Sequence, residues 1–258
     1  DSVSSIGNGT FYYCSSLSSV TIPDSVTSIG DYAFYDCTSL TSVTIHDSVT
    51  SIGYEAFEGC TSLTDTYVNI TDLAAYAISN LMYKIGGNKH LLVNGTEITE
   101  LVIPSNVTSI GISAFQGCCN LTSITIPNSV TTIGERAFYH CDNLKSVTIG
   151  NNVTSIGSYA FSGCSGLTKV NYLGTVDKWV EFDWDNSNNN PTYYAKDLYI
   201  NNELLTDVKI TTADSIKNYA FYNYSIKSVE IGNSVTSIGS SAFSFCGGLT
   251  SVTIPNSV

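Results

Sequence analysis

The chain has 258 residues, 43% of them apolar and only 12% charged, so it holds enough hydrophobe for a sizeable core under a surface rich in hydroxyls and amides. Ten Lys and Arg against 22 Asp and Glu leave a net charge of −12, which repels a phosphate backbone and excludes nucleic-acid binding as a main role. Neither an apolar run of about 18 residues nor a basic-then-apolar leader is present, so no membrane span or signal peptide is expected. The chain opens on Asp1-Ser2-Val3 and closes on Asn256-Ser257-Val258, the same phase of one motif, which predicts a piece of a longer array.

Taken from the start, the apolar positions repeat. Val3, Ile6, Phe11, Cys14, Leu17, Val20 and Ile22 return as Val26, Ile29, Phe34, Cys37, Leu40, Val43 and Ile45, and again from Val49 to Leu63, each 23 residues later. Residues 64 to 104 then break the period. Three further copies run from Val107, Val130 and Val153, and a second break spans residues 168 to 211. A short copy follows at Ile216, Phe221, Ile226, Val229 and Ile231, with Tyr224 in the cysteine region, and a last one runs from Val235 to Ile254. Measured on the Ser-Ile-Gly isoleucine, Ile6 to Ile110 is 104 residues and Ile110 to Ile216 is 106, so three short repeats and one long one make a higher-order unit.

Within a short repeat, Val20 and Ile22 alternate with Thr21 as in a brief strand that buries the β-branched side chains, and Pro23 stops it. The stretch from Gly30 to Cys37 spaces its apolar residues for about one helical or 3-10 turn. No such unit buries its hydrophobic set alone, so neighbours must stack into a solenoid. With one strand per unit, ten rungs at roughly 4.8 Å predict a continuous sheet on the order of 45 to 50 Å long. Its outward positions are a Ser/Thr ladder, with Glu230 after Ser228, that changes to Glu100 and Val102, or to Asp207 and Lys209, near the long units; that variation, at Glu100, Val102, Lys209 and Glu230, marks candidate contact residues.

In the first long unit, Leu73, Ala77, Leu81 and Ile85 follow Thr71 as an amphipathic helix packed on the solenoid's side. Both long units carry a hairpin signal, Asn94-Gly95 in Leu91–Ile98 and Asn201-Asn202 in Leu198–Leu205. The second concentrates Trp179, Phe182, Trp184, Tyr193 and Tyr194, either a local core over the helix-like stretch from Thr175 to Phe182 or a sugar- or protein-binding patch. Tyr12, Tyr35, Tyr139 and Tyr222 lie at or near the position after the repeat Phe, either as an exposed aromatic file or packed between rungs.

Seven cysteines share one repeat position and predict a column of reduced core thiols rather than disulfides. Cys119 points away from the column, with a vicinal bridge to Cys118 as the alternative. His46, His90 and His140 have no carboxylate or cysteine at ligand spacing, and no Gly-x-Ser-x-Gly elbow occurs, so no metal, cofactor or catalytic set is expected. Residues 183 to 190 alternate oxygens as a calcium loop does, but Tyr194 stands where that loop carries Glu, which favours a plain polar loop.

The run Ala-Phe-x-x-Cys-x-x-Leu-x-x-Val-x-Ile-Pro-x-x-Val-x-x-Ile-Gly resembles the BspA-like leucine-rich repeats over nearly the whole chain. The resemblance implies one domain over residues 1 to 258, a curved right-handed leucine-rich repeat solenoid with a parallel concave β-sheet, of the strand-dominated α/β class. It also implies a non-catalytic protein, secreted or held at the cell surface, that adheres to host or neighbouring-cell surface proteins. A glycan-binding accessory resting on Trp179, Trp184, Tyr193 and Tyr194, or a passive spacer of a larger exported protein, are the alternatives.

Overall fold

The computed structural model describes residues 3–77, 85, 87–184 and 186–258. Each regular coil has three walls: a strand of the Ser-Val-Thr-Ile type, a two-residue Ser-Ile strand, and a run of tight turns. In the strand wall, coils pair in parallel one repeat apart, Ser19 with Ser42, Ser42 with Asp65 and Asp65 with Asn88. Alternation buries Val43 and Ile45 and leaves Ser42 and Thr44 half-exposed.

The expected continuous sheet is interrupted twice. Strands from Ser19–Thr21 to Thr96–Glu97 form one sheet, those from Glu100–Val102 to Glu203–Leu204 a second, and Asp207–Ile210, Ser228–Ile231 and Ser251–Thr253 a third. Each break is one of the anticipated hairpins: Asn94-Gly95 (φ 50° and 76°) and Asn201-Asn202 (φ 51° and 71°) supply the left-handed pairs such turns need. The antiparallel return strand occupies the sheet edge, so the next coil must start a new sheet.

The Ser-Ile motif builds a second parallel ladder that a one-strand-per-unit reading overlooks, pairing Ser5 with Ser28 and Ser28 with Ser51, and Ser109 with Thr132 and Thr132 with Ser155. Gly ends each of these strands because the coils touch there. A Cβ on Gly134 would lie 2.7 Å from the Gly111 carbonyl carbon and the Ile112 nitrogen.

The turn wall also differs from expectation. Tyr32 (φ 56°) and Asp36 (φ 54°) are left-handed, and every second N–H points along the stack instead of back along a helix. Tyr32, Phe34 and Asp36 thus donate to the carbonyls of Tyr54, Ala56 and Glu58 at 2.8 to 2.9 Å. Inside, ring centroids of Phe11, Phe34 and Phe57 stack at 5.1 and 5.0 Å, and those of Phe115, Phe138 and Phe161 at 5.5 and 5.3 Å. All eight cysteines are free, Cys118 and Cys119 included. The thiols of Cys37, Cys60, Cys141, Cys164 and Cys246 donate to the Phe carbonyl one coil back, as Cys141 does to Phe115 at 3.2 Å. Tyr224 stands in this column, its hydroxyl 2.7 Å from the Leu198 carbonyl.

In the long units, helices α1 (Leu73–Ala77) and α2 (Val176–Trp179) replace Ser-Ile strands in the side wall. Gly111 N donates to Ala77 O and Lys217 N to Val180 O, both at 2.8 Å, as Gly134 N does to Ile110 O in a regular coil. Asp72, rather than Thr71, caps α1 by accepting from the Ala74 and Ala75 amides, because Thr71 is bound to Asp47. The expected continuation through Leu81 falls outside the described residues. Helix α3 (Thr192–Ala195) completes the second long unit. Among the described residues no helix is long and apolar enough to cross a membrane.

Candidate functional site

The residues singled out by sequence do not converge on one site. Glu100 and Val102 point outward from the second sheet, Val102 being 63% exposed. Lys209 and Glu230 are register partners in the third sheet and form an exposed ion pair at 3.0 Å.

The tryptophans are not surface anchors. Trp179 and Trp184 are 0% and 1% exposed, pack against each other at 5.6 Å, and close on Tyr172 and Phe182. Their burial corrects the patch reading and removes the basis for sugar binding through an open indole. The physical reason is the interrupted turn wall, whose backbone donors and acceptors need partners where no regular coil follows. Trp179 Nε1 donates to Ala220 O at 2.9 Å, Asn190 Nδ2 to the carbonyls of Tyr219 and Ala220, and Tyr159 N to Asn189 Oδ1. Tyr194 takes part as well, its hydroxyl accepting from Gly163 N at 2.8 Å. In the polar loop, the amide oxygens of Asn186, Asn189 and Asn190 all accept hydrogen bonds within the protein. Asp185 lies outside the described residues. Tyr193 stacks on Tyr222 of the turn wall at 6.0 Å.

What sequence reasoning saw only in outline is a tyrosine file on the turn wall. Tyr12, Tyr13, Tyr32 and Tyr54 are 49%, 59%, 38% and 63% exposed. Tyr12 stacks on Tyr35 at 5.3 Å, and Tyr32 meets Tyr54 edge-on at 5.7 Å. Carboxylates are interleaved: hydrogen bonds from Tyr13 to Asp36 and from Tyr54 to Glu55 push both phenols upward. A signal was present in the sequence, since Tyr32 and Tyr54 fall one coil apart and Tyr12 and Tyr35 recur 23 residues apart.

His90 also departs from expectation. Its Nδ1 lies 2.7 Å from Glu97 Oε1, its Nε2 3.2 Å from Asp65 Oδ1, and the Cys119 thiol is 3.7 Å from Nε2. These neighbours come from two adjacent strands and a turn, 7 to 29 residues away, so local ligand spacing could not reveal them. Among the described residues no group of three His, Cys, Asp or Glu side chains has a metal-holding arrangement.

Two ladders, stacked phenylalanines and a cysteine column define a strand-dominated β-solenoid of leucine-rich repeats. The chain belongs to the BspA-type leucine-rich repeat family: the family profile described as "BspA type Leucine rich repeat region (6 copies)" matches residues 1–86, 88–188 and 192–258. Among solved structures it is similar to a leucine rich cell surface protein from Faecalibacterium prausnitzii, with 30% identity and a TM-score of 0.47 over 98% of this chain and 65% of that one. It is also similar to a leucine-rich repeat protein from Eubacterium ventriosum, with 21% identity and a TM-score of 0.47 over 94% and 80% of the two chains. A leucine-rich repeat protein from Bacteroides ovatus matches at 22% identity and a TM-score of 0.41 over 99% and 83%. No curated protein matches the chain.

Proposed function

We propose that the chain is a non-catalytic recognition module displayed outside the cell, adhering to proteins of a host or neighbouring cell through the tyrosine-lined turn wall. The observation that carries this reading is the exposed file of Tyr12, Tyr13, Tyr32 and Tyr54. Tyrosine offers a large, rigid, amphipathic contact at small entropic cost and is enriched where binding energy concentrates. With Asp36, Glu55 and Glu58 beside the rings and a net charge of −12, this flank favours a partner surface bearing Lys and Arg. Tyr193 is a secondary contact on this wall, and Glu100, Val102 and the Lys209–Glu230 pair are secondary contacts on the neighbouring strand wall.

The test immobilises the chain and measures retention of mucosal matrix proteins and of whole cells, beside a variant carrying Tyr12→Ala, Tyr32→Ala and Tyr54→Ala. Retention of a protein ligand that falls about tenfold in the variant is the expected result. Retention of carbohydrate alone supports a glycan-binding accessory instead. No partner at micromolar concentration favours the spacer reading, and unchanged retention in the variant excludes this flank.

A further inference from the structure

Along the turn wall of the first coils, successive tyrosine rings meet close to right angles. Tyr12 and Tyr32 lie with centroids 6.4 Å apart at 81°, and Tyr32 and Tyr54 5.7 Å apart at 81°. Tyr35, half-buried, stacks on Tyr12 and stands edge-on to Tyr32. Rings so arranged leave notches rather than a flat face. The one between Tyr12 and Tyr32 is an open cleft of about 440 Å³, lined also by Asn8, Gly9 and Asp31. The backbone beneath is pinned coil to coil, Tyr13 N donating to Tyr35 O at 2.8 Å and Tyr32 N to Tyr54 O at 2.9 Å. The rings therefore stand on a rigid support, which lowers the ordering cost of binding.

Coil spacing sets what such a file can grip. Phe11, Phe34 and Phe57 stack beneath it at 5.1 and 5.0 Å, so two coils span about 10 Å. A polyproline II helix advances roughly 9.3 Å per three-residue turn, so its residues i and i+3 fall two coils apart along one line. Its carbonyls have no internal partner and can accept from phenol hydroxyls, whereas an α-helix has already bonded its own.

Charge narrows the choice further. Asp31 lines the cleft, and Asp36, followed by burial, Glu55 and Glu58, pushes the Tyr35 phenol up. The second aromatic stretch of this wall, around Tyr219, Tyr222 and Phe245, differs: its turns, residues 217–224 and 239–246, hold no Asp or Glu.

Resting on the recognition reading of this wall, we propose that the Tyr12–Tyr54 stretch binds a proline-rich partner segment in the polyproline II conformation, of the type Pro-x-x-Pro with Arg or Lys beside it. Prolines stack on the rings, phenol hydroxyls meet the segment's carbonyls, and the basic residue faces Asp31, Asp36 and Glu58. Such a segment is extended before it binds, so a shallow site suffices.

The experiment titrates the chain with an arginine-flanked Pro-x-x-Pro peptide by calorimetry and NMR shift mapping. One control peptide replaces its prolines with alanine, and a second replaces its arginines with glutamate. Saturable submillimolar binding is expected, weakened about tenfold or more by either replacement and by Tyr12→Ala with Tyr32→Ala. No binding of the proline peptide, or equal binding of either control, overturns the proposal without reliance on any variant. Where the proline peptide fails but retention of a matrix protein still falls in the tyrosine variant, the recognition reading stands and the polyproline assignment is wrong. Failure of both overturns both.

Discussion

The His90 imidazole joins Glu97 across the first hairpin at 2.7 Å, tying the strand Asn88–Val93 to its antiparallel return. Burial pulls the His90 pKa down, but hydrogen bonds and charge from Glu97 and Asp65 outweigh it and leave the group above its ordinary value. A raised folded-state pKa stabilises fully below the unfolded value of about 6.5, and the contribution is lost as pH rises through the folded value. The hairpin should therefore open more readily in alkaline than in mildly acidic solution. Amide exchange across residues 88–97, corrected for the intrinsic pH dependence, reads this directly. An NMR titration of His90 giving a midpoint at or below 6.5 would contradict it.

Asp177 works in the opposite direction. One oxygen accepts from the amides of Thr211, Thr212 and Ala213 at 2.7 to 3.0 Å, and Asp47 receives the Thr71 and Asp72 amides in the same manner. Burial raises both carboxyls, the backbone donors lower them further, and the net shift is downward. Their stabilisation is present above the unfolded pKa of about 3.9 and lost as pH falls through the lower folded values. Asp177→Ala should cost about 1–3 kcal/mol at neutral pH, read by urea unfolding, and should flatten the acid limb of the stability curve. An unchanged midpoint would show that these donors find water instead.

The cysteine column makes a third prediction. Burial pushes Cys60 up to about 11 and Cys118 and Cys164 up to about 12, and it lifts Cys141 well above its usual value. Cys14 is exposed. At pH 8 a thiol reagent should label Cys14 first and Cys119 more slowly, and Cys118, Cys141 and Cys164 only on unfolding. Mass spectrometry of the labelled peptides checks the order. Rapid labelling of Cys141 in folded protein would mean that the column is open.

Repetition made the core legible. Val43, Phe34 and Cys37 recur at one spacing, and any chain that stacks equivalent positions must bury them together. Backbone direction was less readable: nothing in Tyr32 or Asp36 announces a left-handed conformation, so a helical turn was expected where intercoil bonds prevail. The two tryptophans left a local core and a surface patch both open, because composition records an aromatic cluster but not which side of the wall it faces; the structure shows the core. The burial of Lys89 escaped notice because its core position depends on a register that only strand pairing reveals.

Register itself is the claim on which the rest depends, and it can be measured by cross-linking. Thr125 and Thr148 are partners on adjacent strands, whereas Thr154 is an exposed residue outside that strand pair. In a Cys14→Ser, Cys119→Ser background, Thr125→Cys with Thr148→Cys should be joined in high yield by a short bifunctional thiol reagent, and Thr125→Cys with Thr154→Cys should not. Equal yields for the two pairs, or no link in the first, would contradict the stacked solenoid.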